Sequence, residues 1–133
     1  MIVTIDGPAG AGKSSVARAL ARRLGFRFLD TGAMYRAVTL MAIRQNIDWN
    51  DTAALANVAE VLPLRLEEER VFLDGEDVSR EIRTTEVTQQ VRHAADQPRV
   101  REQLVQLQRE LAEGQDTVTE GRDQGTVVFQ NAE

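Results

Sequence analysis

Ile2-Val3-Thr4-Ile5-Asp6-Gly7-Pro8-Ala9-Gly10-Ala11-Gly12-Lys13-Ser14-Ser15 is the stretch on which the fold turns. Its first four residues are all β-branched, the composition of a short buried strand. Gly7 to Ser14 then fits the pattern GxxxxGK[ST] at every fixed position. Ser14 to Leu24 reads as a helix, closed by Gly25. In that strand–loop–helix setting, glycines let backbone N–H groups curl around phosphate oxygens without side-chain obstruction. The helix N-terminus adds partial positive charge. Lys13 supplies an ammonium for the β and γ phosphates, and the Ser14 hydroxyl can hold Mg²⁺. The competing reading is a glycine-rich turn that merely caps an ordinary helix. Lys13 is also the only lysine in the chain. Compositional drift toward arginine explains that better than selection does, but it leaves one ammonium for this role, which an arginine does not replace directly.

Outward from this stretch, the pattern is βα units interrupted by a small antiparallel segment. Phe26 to Leu29 is a second strand, Asp30-Thr31-Gly32 a turn with Thr31 as a helix cap, and Ala33 to Gln45 a helix by its apolar spacing. Asp51 to Val61 is another helix, with Asp51 or Thr52 near its N-cap. Leu64 to Glu67 and Arg70 to Leu73 form a hairpin, and the Asp74-Gly75 turn leads to a short third strand at Glu76-Asp77-Val78. Val87 to Ala95 and Pro98 to Ala112 are helices, the second starting on a favourable Pro98 and ending at Gly114. Thr117-Val118-Thr119 is the last strand, ending at Glu120-Gly121-Arg122-Asp123. Alternating β and α predicts a parallel sheet covered by helices, with ligands bound beyond the carboxyl ends of its strands. The phosphate loop, Asp30-Thr31-Gly32 and Gly121-Arg122-Asp123 should therefore line one cleft, with residues 64–78 as a separate flap.

Composition narrows the function. A length of 133 residues suits one domain with a real core. A net charge of -5 argues against a general nucleic-acid-binding surface. The absence of cysteine rules out disulfides and thiolate metal sites and fits a reducing compartment. Met1 to Asp6 has no basic region or long apolar core of a signal peptide, and no apolar run is long enough to span a bilayer. A soluble cytoplasmic protein, a monomer without nucleic-acid or membrane partners, is the expectation.

Four further segments carry a resemblance. Leu29-Asp30-Thr31-Gly32-Ala33-Met34-Tyr35-Arg36, Asp77-Val78-Ser79-Arg80-Glu81-Ile82-Arg83, Pro98-Arg99-Val100-Arg101 and Glu120-Gly121-Arg122-Asp123-Gln124-Gly125-Thr126-Val127-Val128-Phe129 follow the phosphate loop in order. Together the set resembles bacterial cytidylate kinase. The phosphate loop is common to many kinases; the Asp-Thr-Gly-Ala-Met-Tyr-Arg and Gly-Arg-Asp-Gln-Gly-Thr-Val-Val-Phe segments are far more specific.

The resemblance implies an α/β P-loop NTPase of the nucleoside monophosphate kinase type, a parallel sheet flanked by helices with a small antiparallel insert. Residues 1–63 and 96–133 would form the P-loop core and residues 64–95 the monophosphate-binding insert. The implied reaction moves the ATP γ-phosphoryl group to CMP or dCMP, with Mg²⁺ accompanying ATP. On the donor side it implies Gly7, Pro8, Ala9, Gly10, Ala11, Gly12, Lys13, Ser14 and Ser15 as phosphate ligands, Ser14 on Mg²⁺ directly and Asp6 through water. On the acceptor side it implies Arg36 and Arg122 on the phosphate, Arg101 and Asp123 at the cytosine edge, and Thr31 and Tyr35 close by. Lys13 and Arg122 would act in catalysis.

Two departures stand out. Arg92, beside His93, falls where the family often carries a serine that helps read cytosine, which leaves the details of base reading open. The family's chain also continues well past Ala132, with further strands and an arginine-bearing lid, so residues 1–133 alone are expected to be a poor catalyst.

Plainer readings stand beside these roles. Arg36 can be a solvated helix arginine and Arg101 an ordinary surface charge. Asp123 can simply pair with Arg122, and Asp6 can simply end its strand. His93 reads as a surface or partly packed residue, because phosphoryl transfer needs no histidine base. Trp49 reads as a packing anchor. Two other functions compete: a different P-loop small-molecule kinase, such as one for another nucleotide or for shikimate, and a non-catalytic ATP-binding regulatory module.

Overall fold

The computed structural model of the chain describes residues 1–6, 13–67 and 70–121, and of Asp6, Lys13, Ser14 and Gly121 the backbone alone. In chain order the elements are β1 (Ile2–Asp6), α1 (Lys13–Leu24), β2 (Arg27–Asp30), α2 (Thr31–Arg44), α3 (Thr52–Glu60), β3 (Leu64–Glu67), β4 (Arg70–Leu73), β5 (Glu76–Asp77), α4 (Thr85–Ala95), α5 (Pro98–Ala112) and β6 (Thr117–Gly121). They divide into two compact units, one of Met1–Gly32 with Val105–Glu133 and one of Ala33–Leu104.

The first unit is built on a parallel sheet of order β1-β6-β2. Ile2 pairs with Thr117 and Asp6 with Gly121 on one side of β6; Arg27 pairs with Thr117 and Asp30 with Glu120 on the other. A central strand covered on both faces should have every side chain buried. Thr117, Val118 and Thr119 are indeed fully buried, and Glu120 nearly so. Ala17 and Ala21 of α1 lie on Val118, joined by Val3, Ile5, Leu20, Phe26 and Phe28. Their small side chains let the helix backbone come close to the sheet. Gly25 ends α1 at φ +69, with Phe26 N–H donating back to the Ala21 carbonyl at 2.9 Å, the hydrogen bonding of a left-handed helix cap.

The second unit packs α2 against an antiparallel sheet of order β3-β4-β5. Period-2 alternation gives the sheet its two faces: Leu64, Leu66, Val71 and Leu73 face the core, whereas Arg65, Glu67 and Arg70 are exposed. On the outer face Arg65 lies 4.4 Å over the ring of Phe72, its cross-strand neighbour. Ala33, Ala37 and Leu40 of α2 meet Val71, Leu73, Val78, Ile82 and Val87 in the core. Asp74 and Gly75 both have positive φ, 50° and 80°. That is the two-residue turn whose twist matches the flanking strands. Beyond it Asp77 accepts bonds from the Ser79 N–H (3.0 Å) and hydroxyl (2.6 Å), and Ser79 Oγ accepts from the Val71 N–H at 2.9 Å. These bonds hold the carboxyl of Asp77 below its ordinary range, the Ser79 hydroxyl contributing most.

The α/β architecture, with a parallel sheet, flanking helices and a small antiparallel sheet, is the one the sequence predicts. Asp51 caps α3, accepting from the Ala54 N–H at 3.1 Å. Three local readings need correction. Asp30-Thr31-Gly32 is not a turn: β2 runs to Asp30 and α2 starts at Thr31. Thr31 uses its hydroxyl elsewhere than as a cap, donating to the Glu120 carbonyl at the end of β6 (2.8 Å). The helix after the flap begins at Thr85, two residues before Val87, because Thr84 caps it and a 3-10 turn at Glu81–Arg83 delivers the chain there.

Candidate functional site

Strand register sets the first part of the site. Asp6 is level with Gly121, and Asp30 with Glu120, so β1, β6 and β2 end together at one edge of their sheet. α1 begins at Lys13, after the six residues that follow Asp6. Such an edge, with a helix N-terminus following a strand, suits an anionic ligand. Gly7, Pro8, Ala9, Gly10, Ala11 and Gly12 lie outside the described residues, as do Arg122, Asp123 and the side chains of Asp6, Lys13 and Ser14. Ser15 is in the first turn of α1 with its side chain exposed.

Two contacts brace this edge. Arg18 of α1 reaches Asp30 (Nη2 to Oδ2, 3.5 Å), its guanidinium 5.3 Å from the centre of the Phe28 ring. Its Nε is buried with no hydrogen-bond partner among the described residues. Thr31, 3% exposed, ties the start of α2 to the end of β6 through the Glu120 carbonyl. Glu120 itself is a carboxylic acid 5% exposed at the end of the central strand. Sequence reasoning gave it no role; a lone acid closing a Thr-Val-Thr strand was the available signal. Asp30 and Glu120, paired in register, bring carboxylates to this strand edge, and hard oxygen donors of that kind fit Mg²⁺. No group of three or more His, Cys, Asp or Glu side chains among the described residues is arranged to hold a metal unaided. Mg²⁺ does not need one, since it usually keeps waters and phosphate oxygens as ligands.

In the second unit, α2 carries Tyr35 and Arg36. Arg36 is half-buried, and both of its hydrogen bonds among the described residues go through Nη1: the Ile82 carbonyl at 3.1 Å and Thr88 Oγ1 at 2.8 Å. Both acceptors are neutral. Two turns on, Arg44 is held very differently, by two 3.0 Å bonds to the two carboxylate oxygens of Glu76. That bidentate pair, hydrogen bonding first and charge second, pulls the Glu76 carboxyl below its usual range. Arg101 is exposed in the first turns of α5.

Arg92, His93, Asp96 and Gln97 line a cavity of about 300 Å³ at the end of α4. His93 stacks on Trp49, ring centres 5.0 Å apart and planes 11° from parallel. Trp49 is thus partnered by a protein ring. The structure therefore gathers Asp6, Thr31 and the start of α1 around one sheet edge, and sets Tyr35, Arg36 and Arg101 on two helices of the second unit.

Comparison with known proteins gives these positions a family. The sequence profile described as cytidylate kinase matches residues 3–133. A cytidylate kinase of Rhodopirellula baltica is 56% identical over 132 residues, covering 99% of this chain and 58% of the relative. One from Caldanaerobacter subterraneus is 53% identical, covering 98% and 58%. One from Mycobacterium leprae is 55% identical, covering 99% and 60%. The chain thus spans less than two thirds of the length of these relatives. With a profile match over nearly all of its residues and relatives at more than half identity, the chain belongs to the cytidylate kinase family, and its α/β sheet is that of a P-loop NTPase.

Proposed function

We propose that the protein carrying this chain transfers the γ-phosphoryl group of ATP to CMP or dCMP, giving the diphosphate. The observation that carries this reading is the family match together with the phosphate-loop sequence between β1 and α1. The backbone of Gly7, Pro8, Ala9, Gly10, Ala11 and Gly12 cradles the donor phosphates, with Ser15 at the start of α1 beside them. Lys13 places its ammonium on the β and γ phosphates. Mg²⁺, when bound, neutralises charge on the donor phosphates. The Ser14 hydroxyl would hold it directly, with Asp6 acting through water.

Residues 64–95 serve as the acceptor insert. Arg36 and Arg122 hold the acceptor phosphate, where a planar fork matches two oxygens. Arg101 and Asp123 take the cytosine edge, with Thr31 and Tyr35 at the acceptor. Arg122 also neutralises charge as the phosphoryl group moves, since phosphoryl transfer relies on positioning and charge neutralisation. The protein works in the cytoplasm as a monomer. No helix among the described residues is long and apolar enough to cross a membrane.

A coupled assay of ADP release with CMP, dCMP, UMP, AMP and shikimate tests the reading on the full-length protein. CMP and dCMP should support the highest kcat/KM. A preference for AMP or shikimate overturns the acceptor, and tight ATP binding with no CMP-dependent ADP release overturns the reaction.

A further inference from the structure

Arg36 and Arg44 sit on one helix and have opposite chemical surroundings. Arg44 has its charge matched by the Glu76 carboxylate. Arg36 meets only neutral oxygens among the described residues, and both are taken by a single nitrogen. A guanidinium has five N–H donors, two on each terminal nitrogen and one on Nε. The Ile82 carbonyl and the Thr88 hydroxyl use both protons of Nη1. Nε and Nη2 keep the other three, and they form the side edge of the fork, whose parallel N–H bonds suit two oxygens of one phosphate.

The two acceptors are themselves anchored. Ile82 is fully buried in the core of the second unit, so its carbonyl has little freedom. Thr88 stands in the first turns of α4, which is pinned by buried Val87, and its N–H is bonded to the Thr84 carbonyl at 3.0 Å. Arg36 lies beside buried Ala37 on α2. All three groups therefore start from fixed backbone, and a long, rotamer-rich side chain is held in one orientation before any ligand arrives. Preorganisation of this kind lowers the entropy lost on binding.

We propose that Thr88 is a positioning residue for the acceptor: its hydroxyl, with the Ile82 carbonyl, holds Nη1 of Arg36 and leaves the Nε/Nη2 edge for the phosphate of a nucleoside monophosphate. This rests on the reading of Arg36 as an acceptor-phosphate ligand. The hydroxyl acts through Arg36 and does not touch the acceptor.

The test is steady-state kinetics of the full-length protein with CMP and ATP. Thr88→Val keeps the branched shape and removes the hydroxyl; it should raise KM for CMP about three- to tenfold, the worth of one partly exposed bond to a charged group. KM for ATP should stay unchanged, and Thr88→Ser should restore the wild-type KM for CMP. In an Arg36→Ala background, Thr88→Val should have no further effect on CMP. An unchanged KM for CMP in Thr88→Val, when Arg36→Ala does weaken CMP, overturns the positioning role alone. A loss that Thr88→Ser does not repair overturns it too. An Arg36→Ala variant with wild-type KM for CMP overturns the underlying assignment of Arg36.

Discussion

Replacing Thr31 with valine removes a hydroxyl and nearly preserves the shape of the side chain. Thr31 is 3% exposed and its hydroxyl donates to the Glu120 carbonyl at 2.8 Å. Valine opens no cavity, so the loss is the bond and the poorer solvation of a buried carbonyl. A net hydrogen bond is worth about 1 kcal/mol, and stranding its buried partner costs about 1–3 kcal/mol. A carbonyl has two lone pairs and is not wholly stranded, so about 1–2 kcal/mol is expected. With a urea slope of about 2 kcal/mol/M, the unfolding midpoint should fall by about 0.5–1 M.

Serine and alanine complete the series. Thr31→Ser keeps the donor and loses one buried methyl, about 0.8 kcal/mol. Thr31→Ala loses both and should cost about the sum, 2–3 kcal/mol. Urea unfolding followed by far-UV circular dichroism reads all three. A valine variant as stable as wild type, beside a destabilised serine variant, would refute the reasoning: the methyl, not the hydroxyl, would then secure the start of α2.

Four other outcomes follow from particular residues. Leu73→Ala, at a site 1% exposed, should cost about 2–4 kcal/mol in the same urea experiment, through lost burial and a residual cavity. Gly75→Ala should cost about 1–2 kcal/mol purely through backbone strain, because φ is +80 and nothing lies within 4 Å of the added Cβ; a neutral result would mean the turn relaxes. Glu76 has a carboxyl pKa lowered on folding, so its contribution is present at neutral pH and is lost as pH falls below the ordinary glutamate range. The stability gap between wild type and Glu76→Gln should be small, shrink with added salt and close in acid; a gap that widens in acid contradicts the sign. Lys13→Ala in the full-length protein should lower kcat far more than it weakens CMP binding, and a defect confined to CMP affinity would remove Lys13 from the donor side.

Much of the fold was legible because its punctuation is local. Gly25, Asp51, Asp74-Gly75, Pro98 and Gly114 each act through a backbone angle or a hydrogen bond within a few residues, and each marks a boundary close to where the elements change. Apolar spacing separated helices from strands for the same reason. What was not legible depends on residues distant in sequence. Thr31 looks like a cap until the Glu120 carbonyl, 89 positions away, offers its hydroxyl an acceptor. The neutral setting of Arg36 is created by Ile82 and Thr88, 46 and 52 positions away, and no motif marks either one. The acidic character of the strand edge likewise needs the register that puts Asp6 and Asp30 beside the end of β6. The phosphate loop is the reverse case: its chemistry is written in eight consecutive residues.

The place of β6 between β1 and β2 also governs the order in which the chain can acquire structure. β1 and β2 are made early but have no ladder with each other; among the described residues each pairs only with β6, and Ile2 waits for Thr117. Closing that interval is a long-range step, slow compared with forming local hairpins and helices. Residues 33–104 hold their own sheet and core, so they can settle while both strands still expose unpaired edges. A nascent chain halted before Thr117 therefore carries two open parallel strands whose natural neighbour does not yet exist, and any passing strand can compete for them. Completion of Thr117–Gly121 is thus the event that joins two separate strands into one three-stranded sheet, and the same five residues bring the strand ends level.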